Sequence, residues 1–304
     1  MLYPRFMARV ETGLAYWEAV SAGGEVPAEA LARLAGHPAR AEAIRHSVRG
    51  ALAFFDGEQK AANLLFLDVG SFALGIIALY LDATGGISHR HLKEMSQSSS
   101  ILSGGRASAM LAFMRLKGFI RRDAGEAGQV VYRPEPLLET FFRGRMRIEI
   151  EACAMLEPAI APLLARWDDR ETFARFWSRF GALMVRAGQN RLPRLEAYSR
   201  IAARRAGSLI LYQILDKADR GGAFPDAAPF SLSVSATARR FGVSRSQVLR
   251  SVREIEHEGL IARGGHEADG TVLSALVESF PLFWAHGQIG VLASAHCAML
   301  ETGA

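Results

Sequence analysis

A chain of 304 residues, half of them apolar, is long enough to bury a core in two domains, which excludes a disordered or fibrous protein. Its 36 Lys and Arg against 31 Asp and Glu leave a net charge of +5, a moderate excess that fits an acidic partner without requiring one. Only Cys153 and Cys297 are present, far apart, so no disulfide framework is expected and a reducing cytoplasm is the natural compartment.

The first residues, MLYPRFMARVETGLAYW, interrupt their apolar positions with Arg5, Arg9 and Glu11, so no signal peptide is expected. Helical patterns then alternate with breaks at Ala22-Gly23-Gly24, Gly36-His37-Pro38 and Asp56-Gly57. Leu31 with Leu34, and Ala51 with Phe54 and Phe55, mark amphipathic helices that pack onto something else, so residues 1–70 read as a helical scaffold. The run Ala61–Leu81 approaches the ~20 apolar residues that a membrane span needs. Asp68 in its middle, a helix end and new cap at Gly70-Ser71, and the closing Asp82-Ala83-Thr84-Gly85-Gly86 predict two buried helices instead, and no membrane partner.

From Ser71, SFALGIIALYLDA predicts an apolar helix ending in Leu-Asp. ISHRHLKEM from Ile87 and RASAMLAFMRLKGFIRR from Arg106 predict two more, and DAGEAGQVVYRP predicts a hairpin with Gly125 and Gly128 in its loop. LLETFFRGRMRIEIEACAML, 137–156, is a long helix. Residues 157–206 read as connecting helices that carry Trp167, Phe173, Phe176, Trp177 and Phe180 at helical spacing. The plain reading of these rings is packing between two halves of the chain. The sharper reading is an apolar cleft for a small-molecule effector, although no charged group singles out a ligand class.

The stretch Leu232–Arg263, LSVSATARRFGVSRSQVLRSVREIEHEGLIAR, carries the functional signal. Ser233 or Ser235 can cap a short helix through Phe241, Gly242 supplies permissive backbone at its end, and Ser244 caps the next helix. Val248, Val252 and Ile255 face inward at helical spacing. Arg245, Gln247, Arg250, Ser251 and Arg253 are left near or on the opposite face, where such donors suit phosphates and purine edges. GLIAR, GGHEADG and TVL then fit two short strands joined by a polar loop. With Gly242-Val243-Ser244 at the corner and Glu258-Gly259-Leu260-Ile261 ahead of the strands, the stretch resembles the winged helix-turn-helix of MarR-type bacterial transcriptional regulators. The resemblance implies a recognition helix in the major groove and a wing reaching backbone or minor groove near Arg263 and His266.

The pattern occurs twice. GSLILYQILDKA, 207–218, echoes the helix from Ser71, Gly118-Phe119-Ile120-Arg121 stands where Gly259-Leu260-Ile261-Ala262 stands, and 137–156 mirrors 276–300 down to Cys153 and Cys297. The expected architecture is mainly α with small β-hairpin wings. It comprises a scaffold at 1–70, a first winged helix-turn-helix unit at 71–156, connecting helices at 157–206 and a second unit at 207–304. The resemblance implies that the two units form a pseudo-two-fold, a covalent pseudo-dimer with half-sites ~34 Å apart. The chain would then act as a monomeric pseudo-dimer or as a homodimer.

The copies differ. The first has four more residues between Ile87 and Gly118 than the second has between Leu232 and Gly259, Ala109 replaces Arg250, and Gly104-Gly105 would cost roughly 1 kcal/mol each inside a helix. Its expected DNA contacts are Ser103, Arg106, Ser108, Arg115 and Arg122, and the second copy is expected to read bases better.

No G-x-S-x-G, Walker loop or H-E-x-x-H is present, so no enzyme and no cofactor are expected. His89-x-His91 and the adjacent His296-Cys297 do not supply a four-ligand metal site, and both cysteines read as inert packing residues. The expected function is sequence-specific recognition of double-stranded DNA by a transcriptional regulator. The alternatives are a plasmid replication initiator, which also uses tandem winged helices, and a winged-helix protein-interaction module.

Overall fold

The computed structural model describes residues 28–57, 63, 65–98, 103–125, 129–187, 195–264 and 268–300. The elements in chain order begin with α1 (Ala28–Ala35), α2 (Arg40–Asp56), α3 (Val69–Ala83), α4 (His89–Ser98) and α5 (Gly104–Leu116). Strands β1 (Ile120–Ala124) and β2 (Val130–Pro134) follow, then α6 (Pro136–Leu156), α7 (Pro162–Ala165), α8 (Arg170–Ala187), α9 (Glu196–Ala203) and α10 (Gly207–Ala218). The chain continues through β3 (Pro229–Phe230), α11 (Val234–Phe241), α12 (Arg245–His257), β4 (Ile261–Arg263), β5 (Gly270–Val272) and α13 (Ser274–Leu300). The fold is mainly helical with small antiparallel strand pairs, and among the described residues no helix is long and apolar enough to cross a membrane.

Two compact units divide these elements. Unit 1 takes Gly70–Arg191 and the chain from Gln288 onward, and unit 2 takes Glu29–Val69 and Leu192–Gly287. The described part of the expected scaffold from Glu29 on thus groups with Leu192–Gly287. The sequence shows why: the stripe Ile44, Val48, Ala51, Leu52 and Phe55 of α2 is buried, and α2 packs along α10. At the end of that stripe Phe55 meets Phe241 of α11 edge to face, with 5.3 Å between centroids. Ion pairs fix the register, because Arg45 Nε donates to Asp219 at 2.8 Å and Arg49 Nη2 to the same carboxylate at 2.9 Å. Burial works to raise the Asp219 pKa, but the hydrogen bonds from Arg45 and the Gly221 N–H and the nearby charges of Arg45 and Arg49 hold it below its ordinary value.

In unit 1 the apolar helix α3 is buried along most of its length. Its break from the preceding segment falls just before Val69, so Gly70 and Ser71 lie in its first turn rather than ending one helix and capping another. The connecting rings belong to this unit: Trp167, Phe173, Phe176, Trp177 and Phe180 pack on one another, and Trp177 meets Phe142 of α6 at 5.4 Å. These rings fill one another's space. Glycine at 181 is required where α8 crosses α3, since a Cβ there would lie 2.3 Å from that of Tyr80. Between α6 and the last part of α13 runs a buried polar chain. Gln288 Nε2 donates to Glu149 at 2.7 Å, Cys153 Sγ donates to Gln288 Oε1 at 3.1 Å, and Arg145 pairs with Glu149 at 2.6 Å.

The two units repeat one hydrogen-bonding plan. Ser103 Oγ accepts from the Arg106 N–H and Ser244 Oγ from the Gln247 N–H, so α5 and α12 begin with the same side-chain cap. Both helices end at a left-handed glycine, Gly118 (φ 73°) and Gly259 (φ 70°). Beyond it the Phe119 N–H bonds to Met114 and the Leu260 N–H to Ile255. The Phe119 carbonyl then accepts from the Glu135 N–H, just as the Leu260 carbonyl accepts from the Leu273 N–H, at the entry to the long helices α6 and α13. The strand pairs differ in length, with five paired positions in β1–β2 and three in β4–β5. Unit 2 adds β3 on the far side of β5, and unit 1 has a lone bridge from Ile87 to Tyr132.

Candidate nucleic-acid interface

The corner between α11 and α12 is set by local chemistry. Ser233, rather than Ser235, caps α11 by accepting from the Ala236 N–H, and Gly242 takes φ 61°, a conformation that costs an L side chain free energy. The Val243 N–H closes the turn on the Ala238 carbonyl at 3.0 Å. Val248, Val252 and Ile255 are fully buried and orient α12 so that Arg245, Arg250 and Arg253 are exposed.

Ser251 is not on that outward face. It lies three residues after Val248 and four before Ile255, in the middle of the apolar stripe, and its hydroxyl is buried without a hydrogen-bond partner. Gln247 stands half-buried at the side of the helix, its amide 3.5 Å from the Arg205 carbonyl. Arg263 at the end of β4 is exposed, but its guanidinium pairs with Glu256 of α12 at 2.6 Å. His266 lies outside the described residues.

Helix α9 carries residues whose part the sequence did not reveal. Tyr198 anchors it to α13: the ring stacks on Phe283 with 4.5 Å between centroids, the hydroxyl meets Ser279 Oγ at 2.7 Å, and burial pushes the phenol up to about 12. From that anchorage Arg200 reaches Glu258 and Arg204 reaches Glu254. The hydrogen bonds from Arg200 hold the Glu258 carboxyl below the usual range. All three carboxylates in this part of the chain, Glu254, Glu256 and Glu258, are therefore neutralised by arginines from outside α12. Arg250 and Arg253, by contrast, have no ion-pair partner among the described residues. Neutralising the acids and leaving those cations open makes the exposed face of α12 net positive.

The equivalent surface in unit 1 has another character. Ser103 caps α5, and Arg106, Arg115 and Arg122 are exposed, but Ser108 is half-buried and turns its hydroxyl to the Gly104 carbonyl of its own helix at 2.9 Å. The positions of Arg250 and Arg253 are occupied by exposed Ala109 and Ala112, next to Phe113 and Leu116. Gly104 and Gly105 sit in the first turn after the cap, where backbone N–H groups lack intrahelical partners anyway, so the interior-glycine penalty does not apply. Part of the extra length in this copy is taken up by α4, which has ten residues where α11 has eight, and residues 99–102 of the turn lie outside the described residues.

Among the described residues no group of three or more His, Cys, Asp or Glu side chains could hold a metal ion. Cys153 and Cys297 are both buried, and burial, with the nearby charge of Glu149, pushes the Cys153 thiol well up. No family model matches the chain, and neither a curated protein nor a solved structure matches it.

Proposed function

We propose that the protein is a sequence-specific double-stranded DNA-binding transcriptional regulator in which unit 2 is a winged helix-turn-helix. Helix α12 is its recognition helix and the β4–β5 pair its wing. The observation that carries this reading is the arrangement of α12: a Ser244-capped helix seated on a dry stripe, its acids neutralised from outside and Arg245, Arg250 and Arg253 turned to solvent. Arginine forks at the N-terminal half of such a helix match guanine edges and phosphate oxygens in a major groove. Arg263 reaches the DNA backbone only by exchanging Glu256 for phosphate. The shared hydrogen-bonding plan supports a chain that carries two such units as a covalent pseudo-dimer, with unit 1 diverged as a reader.

The test is selection of bound duplexes from a random pool by the purified chain, followed by the salt dependence of affinity for the selected site. An enriched site whose log affinity falls steeply with log salt is expected, because each phosphate contact releases counterions. Absence of enrichment, with weak and salt-insensitive binding, refutes the reading.

A further inference from the structure

We propose that the outer face of α5 is a docking surface for an acidic amphipathic helix of another protein. The proposal stands whether or not unit 2 binds DNA.

Phe113 is 40% exposed and Leu116 79% exposed, on the side of α5 opposite the buried Ala107, Leu111 and Met114. The same helical positions in unit 2 carry Glu254 and His257, so the shared fold does not impose apolar residues here. Scattered apolar side chains on a surface are ordinary, but these two are neighbours on one turn, and Ala109 and Ala112 continue the face without a polar side chain. A face of two large and two small residues leaves a shallow relief against which the ridge of another helix can lie closely.

Charge selects the occupant. Helix α5 contains no Asp or Glu, and the face is flanked by exposed Arg115 and Lys117, the Lys117 ammonium lying 5.6 Å from the Phe113 ring centroid. Arg115 has no ion-pair partner among the described residues. A second copy of the same face would set these cations against their own kind, which opposes self-association. A helix with apolar anchors at i, i+3, i+4 and i+7 and carboxylates beside them satisfies both the apolar centre and the cations. An anionic membrane would satisfy the cations as well. A helix that lies in a bilayer surface, however, presents large apolar side chains along its length, whereas here the alanines occupy the rest of the face.

The experiment uses the full chain and two labelled helical peptides with the same Leu and Phe face, one flanked by Glu and its twin flanked by Lys. Fluorescence anisotropy should report binding of the acidic peptide and not of the basic one. Phe113→Ser with Leu116→Ser should weaken it at least about tenfold. Arg115→Glu with Lys117→Glu should transfer the preference to the basic peptide. All four side chains are exposed or partly so, and unchanged circular dichroism and melting of the variants separate docking from folding. Failure of the acidic peptide to bind, equal binding of both twins, or charge reversal without effect overturns the proposal. It is equally overturned if the serine pair instead abolishes binding to phosphatidylcholine–phosphatidylglycerol vesicles, to duplex DNA, or to a second copy of the chain.

Discussion

Arg200 donates from Nε and Nη2 to the two oxygens of Glu258, each at 2.7 Å, and so joins α9 to the residue that ends α12. The pairing is in the fork-to-fork geometry in which arginine matches a carboxylate best. Because the Glu258 pKa is lowered in the folded chain, its contribution is fully present above the unfolded carboxylate pKa and is lost as pH falls through the folded value. Arg200→Gln should therefore be less stable than the parent near neutrality, and the gap should close as pH drops from about 7 to about 3. Urea denaturation across that range checks it, and a gap that stays constant with pH would remove the ion pair as the cause.

Arg250→Ala and Arg253→Ala should each weaken binding to a selected DNA site by about 1–3 kcal/mol if they contact bases. Ser251→Ala should leave DNA affinity unchanged. It should also leave the melting temperature equal or slightly higher, because the buried hydroxyl it removes has no partner. Anisotropy titrations and thermal melts of the three variants separate a reading face from a packing face.

Asp219→Asn should destabilise the chain by about 1–3 kcal/mol, since it removes the charge that pairs with the half-buried Arg45 and with Arg49. The folded-state pKa of Asp219 is depressed, so the loss should be visible at neutral pH and fade as acid protonates the parent carboxylate.

Neither Cys153 nor Cys297 should react with a thiol reagent at neutral pH while the chain is folded, and both should react in denaturant. Burial hides both sulfurs, and the raised pKa of Cys153 leaves little thiolate. Rapid modification in the native state would show that the helices around Cys153 open readily.

Local chemistry was legible in the sequence and long-range pairing was not. The Ser244 cap, the left-handed Gly242 and the stripe of Val248, Val252 and Ile255 are consequences of residues within a turn or two of one another, so spacing alone located them. The cap and the left-handed glycine that α5 and α12 have in common are legible for the same reason, because each depends on residues close in sequence. The burial of Ser251 is not legible, because a small hydroxyl gives no hydropathy signal and its side of the helix is decided by the neighbours it sits between. The partners of Arg200 in α9 and of Arg204 just after it are not marked in the sequence: Arg200 and Glu258 are 58 residues apart, and nothing local identifies either as a partner. The two-residue strand β3 is too short to carry a period. The grouping of α2 with α10 rests on packing and on Arg45 and Arg49 reaching Asp219, contacts that cross most of the chain.

Gly118 and Gly259 offer a calibrated weight for comparing the two units. They hold nearly the same dihedral at the same place, and an added methyl group would meet open space at both. Alanine at either position therefore carries the same intrinsic strain, about 1–2 kcal/mol, with no difference in crowding to confuse the comparison. Calorimetry of the two single variants would then ask a question of cooperativity. Equal drops in one shared transition mean that the units melt as a single thermodynamic body, whereas a shift confined to one of two transitions means that each unit unfolds on its own account.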